Sequence, residues 1–193
     1  MEADQTYAGD EIPPDSDVIE VHVSELTQIF NSLDPSPFHE KDLDDDADEF
    51  IVGWAREFPR DKPLALRVHL DKPSVMPEMA NALRAAVHGF YARRSTVADQ
   101  RLRELFRVGR TSLAIGLVFL GACLVAGNEV TKTWGDSGVA AIVRESLLIG
   151  GWVAMWRPLE IFLYGWVPVR RDRRLSDRLS TMAVRIVCKK GQS

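Results

Sequence analysis

The stretch 111–127, TSLAIGLVFLGACLVAG, carries no charged side chain over 17 residues and follows directly on Arg107 and Arg110. Extended by a few neighbours, it reaches the roughly 20 apolar residues that a hydrocarbon core of about 30 Å requires. The rival for such a run is a buried helix of a soluble protein, which is usually shorter and more often interrupted by polar residues. The run therefore predicts a transmembrane helix over 111–130.

A second apolar stretch, 138–169, is longer than one crossing needs and contains Arg144, Glu145, Arg157, Pro158 and Glu160. The polar connector between the two, NEVTKTWGDS at 128–137, is short, so the second helix must re-enter near Gly138 at the face where the first one left. With about 1.5 Å of rise per residue, Arg157 then lies roughly 30 Å deeper, level with Arg107 and Arg110. Arg144 and Glu145 fall a turn or two inside the outer interface, where a long arginine can snorkel to water. A competing register centres the span on Arg157 and buries an Arg157 and Glu160 pair of the kind that lines ion paths. Because short connectors hold helix ends together, the expected span is 138–160, with 131–137 as the external connector. Arg144, Glu145, Arg157 and Glu160 are the candidate membrane charges.

Arginines set the orientation. Arg93, Arg94, Arg101, Arg103, Arg107 and Arg110 precede the first span and Arg170, Arg171, Arg173, Arg174 and Arg178 follow the second, while the connector has only Lys132. The positive-inside bias predicts a multi-pass protein of the inner (plasma) membrane with both termini cytoplasmic. Residues 1–17 are acidic and contain proline, without the basic and apolar regions of a secretory signal peptide. Cys123 and Cys188 are expected at different depths, so no disulfide is expected. Small residues recur at four-residue spacing, Ser112 and Gly116 in the first helix and Ser146, Gly150 and Ala154 in the second. Such stripes let helix backbones approach closely in lipid, within the hairpin or between subunits.

Averages conceal this organisation. The hydrophobic fraction of 46% and net charge of −4 resemble a soluble protein. Yet residues 1–60 carry 17 Asp and Glu against 3 Lys and Arg, and residues 170–193 carry 8 Lys and Arg against 2 Asp. Residues 1–17 read as an acidic disordered tail and 18–92 as a small cytoplasmic α+β domain. In that domain 18–23 and 64–70 alternate as half-buried strands. Short helices are expected at 25–30 and 45–58, the latter with Phe50, Ile51, Trp54 and Phe58 as its apolar face. A third helix begins near residue 76 and runs without a breaker through an extension, 93–110, into the first span. Behind the second span, 161–193 reads as an interfacial segment and a basic amphipathic helix over 172–188, with Leu175, Leu179, Met182 and Ile186 on one stripe. It can lie on an anionic membrane or dock on the acidic domain. The fold class is thus membrane α-helical: a two-helix transmembrane hairpin with an α+β domain in front and a basic helix behind.

Little chemistry is legible. The acidic run 39–49 resembles the start of a calcium loop, but Ala47 stands where glycine is required and Gly53 where the bidentate glutamate belongs. Carboxylates before a helix N-terminus stabilise its dipole without an ion. If the two strands pair, Glu20, His22, Arg67 and His69 form a polar cluster on the strand face, although two histidines without a third ligand are a weak metal signal. His88 has no evident partner. No phosphate-binding loop, nucleophile elbow or zinc-protease helix is present, so no catalytic residue, metal or cofactor is expected. The basic C-terminal residues are explained by membrane orientation, so no nucleic acid is expected either. The sequence thus suggests a non-enzymatic, homo-oligomeric membrane scaffold or regulatory subunit whose partners are the lipid bilayer, other copies and a cytoplasmic protein. A small ion channel or transport accessory using the charges of the second helix is the main rival, and a membrane-anchored metal-binding enzyme the second.

Overall fold

In the computed structural model, residues 5–37, 39–71, 77–135 and 137–189 are described. Along the chain run β1 (Gln5–Gly9), β2 (Asp17–Val23), a 3-10 turn (Leu26–Ile29), α1 (Asp45–Glu57), β3 (Leu64–Leu70), α2 (Pro77–Trp134), α3 (Gly138–Glu160), a π-helical turn (Ile161–Gly165), α4 (Trp166–Leu179) and β4 (Ala183–Lys189). They form two units, one of residues 1–97 with 172–193 and one of residues 98–171.

The first unit is built on a four-stranded sheet of order β1-β4-β3-β2. β2 and β3 are parallel with Ile19 opposite Leu66, β3 and β4 are parallel with Leu66 opposite Val184, and β1 is antiparallel to β4. One face of the sheet is apolar. Ile19, Leu66, Val68, Val184 and Ile186 are buried there with Ile51, Val52 and Ala55 of α1, with Leu83, Val87 and Tyr91 from the start of α2, and with Leu179 and Met182. On β2 the expected alternation holds, with Ile19 buried and Val21 and Val23 packed against the core.

Two segments differ from the sequence expectation. The helix expected over 172–188 ends at Leu179, and Ala183–Lys189 is a strand inside the sheet. Leu175, Leu179, Met182 and Ile186 fit a helical stripe, but Val184, Ile186 and Cys188 also recur at spacing two in a β-branched segment. Pairing with β1 on one side and β3 on the other favours the strand. Of the helical part, α4, residues 172–179 belong to the α/β unit. Arg178 donates to the carbonyls of Pro59 and Lys62 at 2.9 and 2.8 Å, Arg56 pairs with Asp172 at 3.2 Å, and the buried Ser95 hydroxyl donates to Asp177. The tail expected to be disordered over 1–17 contains β1, whose end is fixed tightly. Gly9 has φ +107 and no room for a Cβ against the Val184 carbonyl. Asp10 N–H then donates to that carbonyl at 2.9 Å, and Arg84 pairs with its carboxylate at 2.7 Å.

Helix α1 starts where expected, with Asp44 as N-cap accepting from Asp46 N–H at 3.1 Å. Its buried stripe is Ile51, Val52 and Ala55, so Phe50 and Trp54, expected inward, face solvent. Two stripes compete on this helix, and the aliphatic one shares the core with Leu43 and Phe30.

In the second unit α2 and α3 pack as an antiparallel hairpin. Gly109 lies against Ile161 and Phe162, Gly116 against Ala154 and Met155, Gly151 against Leu120 and Cys123, and Gly127 against the stem of Arg144. Contacts recurring at 109, 116 and 123 follow the seven-residue period of left-handed helix pairs. Of the expected small-residue stripe, Gly116 and Ala154 meet, Ser112 is half-buried, Ser146 is exposed, and a Cβ on Gly150 would touch nothing within 4 Å. Gly151 occupies the place expected of Gly150. A Cβ there would come within 2.6 Å of Leu120 Cδ1. The 3.5-residue seam runs through 144, 151, 154 and 158, whereas a stripe at strict four-residue spacing drifts off it.

Arg157 falls between the 116–154 and 109–161 contacts, opposite the first turn of the 111–127 run and about one turn from the expected level of Arg107 and Arg110. The cause lies at the hairpin tip, where α2 continues to Trp134 through most of the expected connector. Lys132 and Glu129 pair at 2.7 Å in these last turns, Gly135 turns the chain at φ +60, and Ser137 caps α3. Both helices are long and apolar enough to cross a membrane, with mean hydropathy of 1.9 and 1.4 in their most apolar windows. Away from the seam Ile115, Val118, Val125, Ile142, Val153 and Trp156 are exposed.

Two outcomes check this arrangement. Ile186→Asp should cost about 4 kcal/mol or more by burying an unpaired carboxylate, and hydrogen exchange should show lost protection in β3 as well as β4. A helix lying on a lipid surface would transmit nothing to β3. In the hairpin, Gly151→Leu should lower thermal stability in lipid by the equivalent of about 1–3 kcal/mol through overpacking, while Gly150→Leu leaves hairpin stability unchanged.

Candidate functional site

Strand residues in register share a sheet face, and the face opposite the core collects the polar side chains. Glu20, Arg67 and Arg185 stand in one row across β2, β3 and β4, and His22, His69, Val187 and Tyr7 in the next row across all four strands. Arg67 Nη1 donates to Glu20 Oε1 at 2.7 Å. The rings of His22 and His69 stack with centroids 4.3 Å apart and planes 7° apart, and Arg185 lies 5.0 Å above the Tyr7 ring. The four residues expected to cluster, Glu20, His22, Arg67 and His69, are brought together. Arg185 and Tyr7 were missed, because the first lay in an expected helix and the second in an expected disordered tail. The alternation of Arg185 between Val184 and Ile186 was the available signal.

The electrostatics of this face oppose a cation. Burial first, and then the neighbouring His22, hold the His69 imidazolium below its ordinary pKa, against the pull of Glu20, whose Oε2 is 3.9 Å from Nε2. Arg67 pushes in the same direction as burial. Stacked imidazoles do not converge on one ion, and two guanidinium groups flank them. Among the described residues no group of three or more His, Cys, Asp or Glu is arranged to hold a metal.

The acidic run serves as a loop clasp. Asp34, ahead of the run, accepts from Asp42 N–H at 2.8 Å and then from Ser36 N–H at 2.9 Å, which lowers its pKa to about 2. Asp42 pairs with Arg93, and Asp48 pairs with Arg94 while accepting from the Tyr91 hydroxyl at 3.1 Å. Burial and the Asp48 carboxylate drive the Tyr91 hydroxyl far above the usual phenol range. His88 Nε2 reaches the Met182 carbonyl at 2.8 Å. The buried Cys188 thiol is pushed up by burial, which disfavours the thiolate a nucleophile needs.

In the hairpin the candidate charges do not converge. Arg157 Nη1 donates to Glu160 Oε2 at 3.0 Å, with side chains 72% and 50% exposed. Arg144 lays its stem along Gly127, Glu145 is exposed, and the two groups are about 20 Å apart along one helix. No protein-family profile, curated protein or solved structure matches the chain.

The histidine pair makes a checkable pH dependence. A histidine whose pKa is lowered by folding binds fewer protons in the folded than in the unfolded state, so its contribution is full above about pH 6.5 and is lost as pH falls through the lower folded value. NMR titration should find His69 below 6.5, and His69→Gln should flatten the loss of stability on acidification. An ordinary titration of His69 would contradict the stacked geometry.

Proposed function

We propose that this chain is a non-enzymatic membrane scaffold or regulatory subunit whose α/β unit binds another protein on the cytoplasmic side of the plasma (inner) membrane. The observation that carries the proposal is the split sheet: β3 precedes the apolar hairpin, β4 follows it, and the two are hydrogen-bonded neighbours. A chain whose flanks share one sheet must return to the compartment it left, so the two apolar helices cross as a pair. The arginines on both flanks and the single Lys132 in the tip support the cytoplasm as that compartment. The exposed apolar sides of α2 and α3 require a nonaqueous partner, and a lipid bilayer supplies it around the whole circumference.

Non-catalytic binding fits the remaining chemistry. Asp42, Asp44 and Asp48 are engaged in capping or ion pairs, the histidines stack, and the cysteines are buried. β1 and β2 are the two edges of the sheet, and unpaired strand edges are places where further copies associate.

Topology is the test. In a background with Cys123 and Cys188 replaced by alanine, Thr133→Cys should react with a membrane-impermeant maleimide added to intact cells, and Ser36→Cys should react only after lysis. Reaction of Ser36→Cys in intact cells, or protection of Thr133→Cys there, overturns the proposed anchoring.

A further inference from the structure

The outward stripe of α1 has no role inside its own unit. Asp46, Glu49, Phe50, Gly53, Trp54 and Glu57 line an open hollow of about 450 Å³. Phe50 and Trp54 are 44% and 45% exposed and touch, with ring centroids 6.2 Å apart. Sequence spacing puts Gly53 between them, and the chain itself does not explain the glycine. Its φ is not positive, and a Cβ there would meet nothing within 4 Å. Glycine is a poor interior residue for a helix, so an alanine here would serve the fold better. What Gly53 does provide is a bare floor beside two aromatic rings.

The rim adds a charge preference. Asp42 and Asp48, near α1, are paired with Arg93 and Arg94, but no ion pair among the described residues engages Asp46, Glu49 or Glu57. Three carboxylates around an apolar floor match an arginine or lysine side chain, whose methylene stem packs on the floor while its cation meets the carboxylates and the ring faces. The same carboxylates repel an anionic lipid surface. At 13 residues α1 offers a face about 20 Å long, suited to a helix laid across it.

We propose that this face of α1 docks a basic amphipathic helix of a partner protein, with one Arg or Lys side chain laid over Gly53 beside Phe50 and Trp54. The inference rests on the protein-binding role given to the α/β unit above and supplies the chemical class of the partner.

Fluorescence anisotropy tests it on the full chain in uncharged phosphatidylcholine nanodiscs, with a labelled amphipathic leucine–arginine helical peptide as probe and empty discs as background. Saturable binding is expected, and Gly53→Leu or Trp54→Ala should weaken it about tenfold or more. The double change Glu49→Gln with Glu57→Gln should weaken it and remove much of its salt dependence. A counterpart peptide with glutamates for the arginines should not bind. Because the Gly53 Cβ points into open space, Gly53→Leu should keep the parental circular dichroism, and Gly53→Ala should raise the unfolding temperature. Absent binding, equal binding by parent and Gly53→Leu, or recruitment only to anionic vesicles overturns the proposal. So does self-association of the parent that Gly53→Leu abolishes, since the occupant is then a second copy. The maleimide experiment reads the tether and does not involve α1, so failure of either experiment leaves the other standing.

Discussion

Backbone hydrogen bonding of β4 between β1 and β3 is the constraint on which the rest of the structure depends. A strand in the interior of a sheet satisfies its donors and acceptors on both sides, and removing it leaves two unpaired edges and an open core. Because β4 follows the hairpin and its neighbours precede it, the four-stranded sheet is complete only once both flanks of the hairpin are in place. The long excursion through α2 and α3 therefore becomes an insertion in a folded unit rather than an appended anchor. The same fact limits the excursion: its two ends must come back to the same side of any barrier it crosses.

The hairpin is held by a different kind of contact. It rests on close backbone approach, the contact that associates helices in lipid, where burying one apolar side chain against another gains nothing over acyl chains. Gly109, Gly116, Gly127 and Gly151 provide it, each leaving space for a residue of the opposite helix. The seven-residue recurrence keeps this seam aligned over the length of both helices. Outside the seam Ile115, Val118, Ile142 and Val153 are exposed, as are the charged Arg144 and Glu145 and the i,i+3 pair Arg157 and Glu160. Such a pair does not form a path along the helix.

Charge is divided by function within the α/β unit. Acids facing α2 clasp it through Arg93 and Arg94, Asp44 caps α1, and Asp34 folds the loop that precedes it. Asp46, Glu49 and Glu57, on the far side of α1, have no ion-pair partner among the described residues and surround exposed aromatic rings. The difference separates a structural use of carboxylates from a surface available for recognition, although the sequence presents both as one acidic run.

The sequence by itself determined the two apolar runs, their arginine flanks, strands β2 and β3, the start and extent of α1, and the Glu20, His22, Arg67 and His69 set, which follows once those strands pair in register. Each is written in a local period or an uninterrupted composition. Tertiary structure decided what local period leaves ambiguous. Residues 183–189 fit a helix or a strand until β1 and β3 offer partners, and β1 has no reason to order without β4. Phe50 and Ile51 compete for the inner side of α1, and only the shape of the core selects the aliphatic stripe. Gly150 and Gly151 differ by one position, a rotation of about 100° on a helix, so no composition distinguishes them and the register of the opposite helix does. That register was set at the tip, where α2 runs to Trp134 because polar residues such as Thr131, Lys132 and Thr133 are as compatible with helix as with loop when their side chains bond within it.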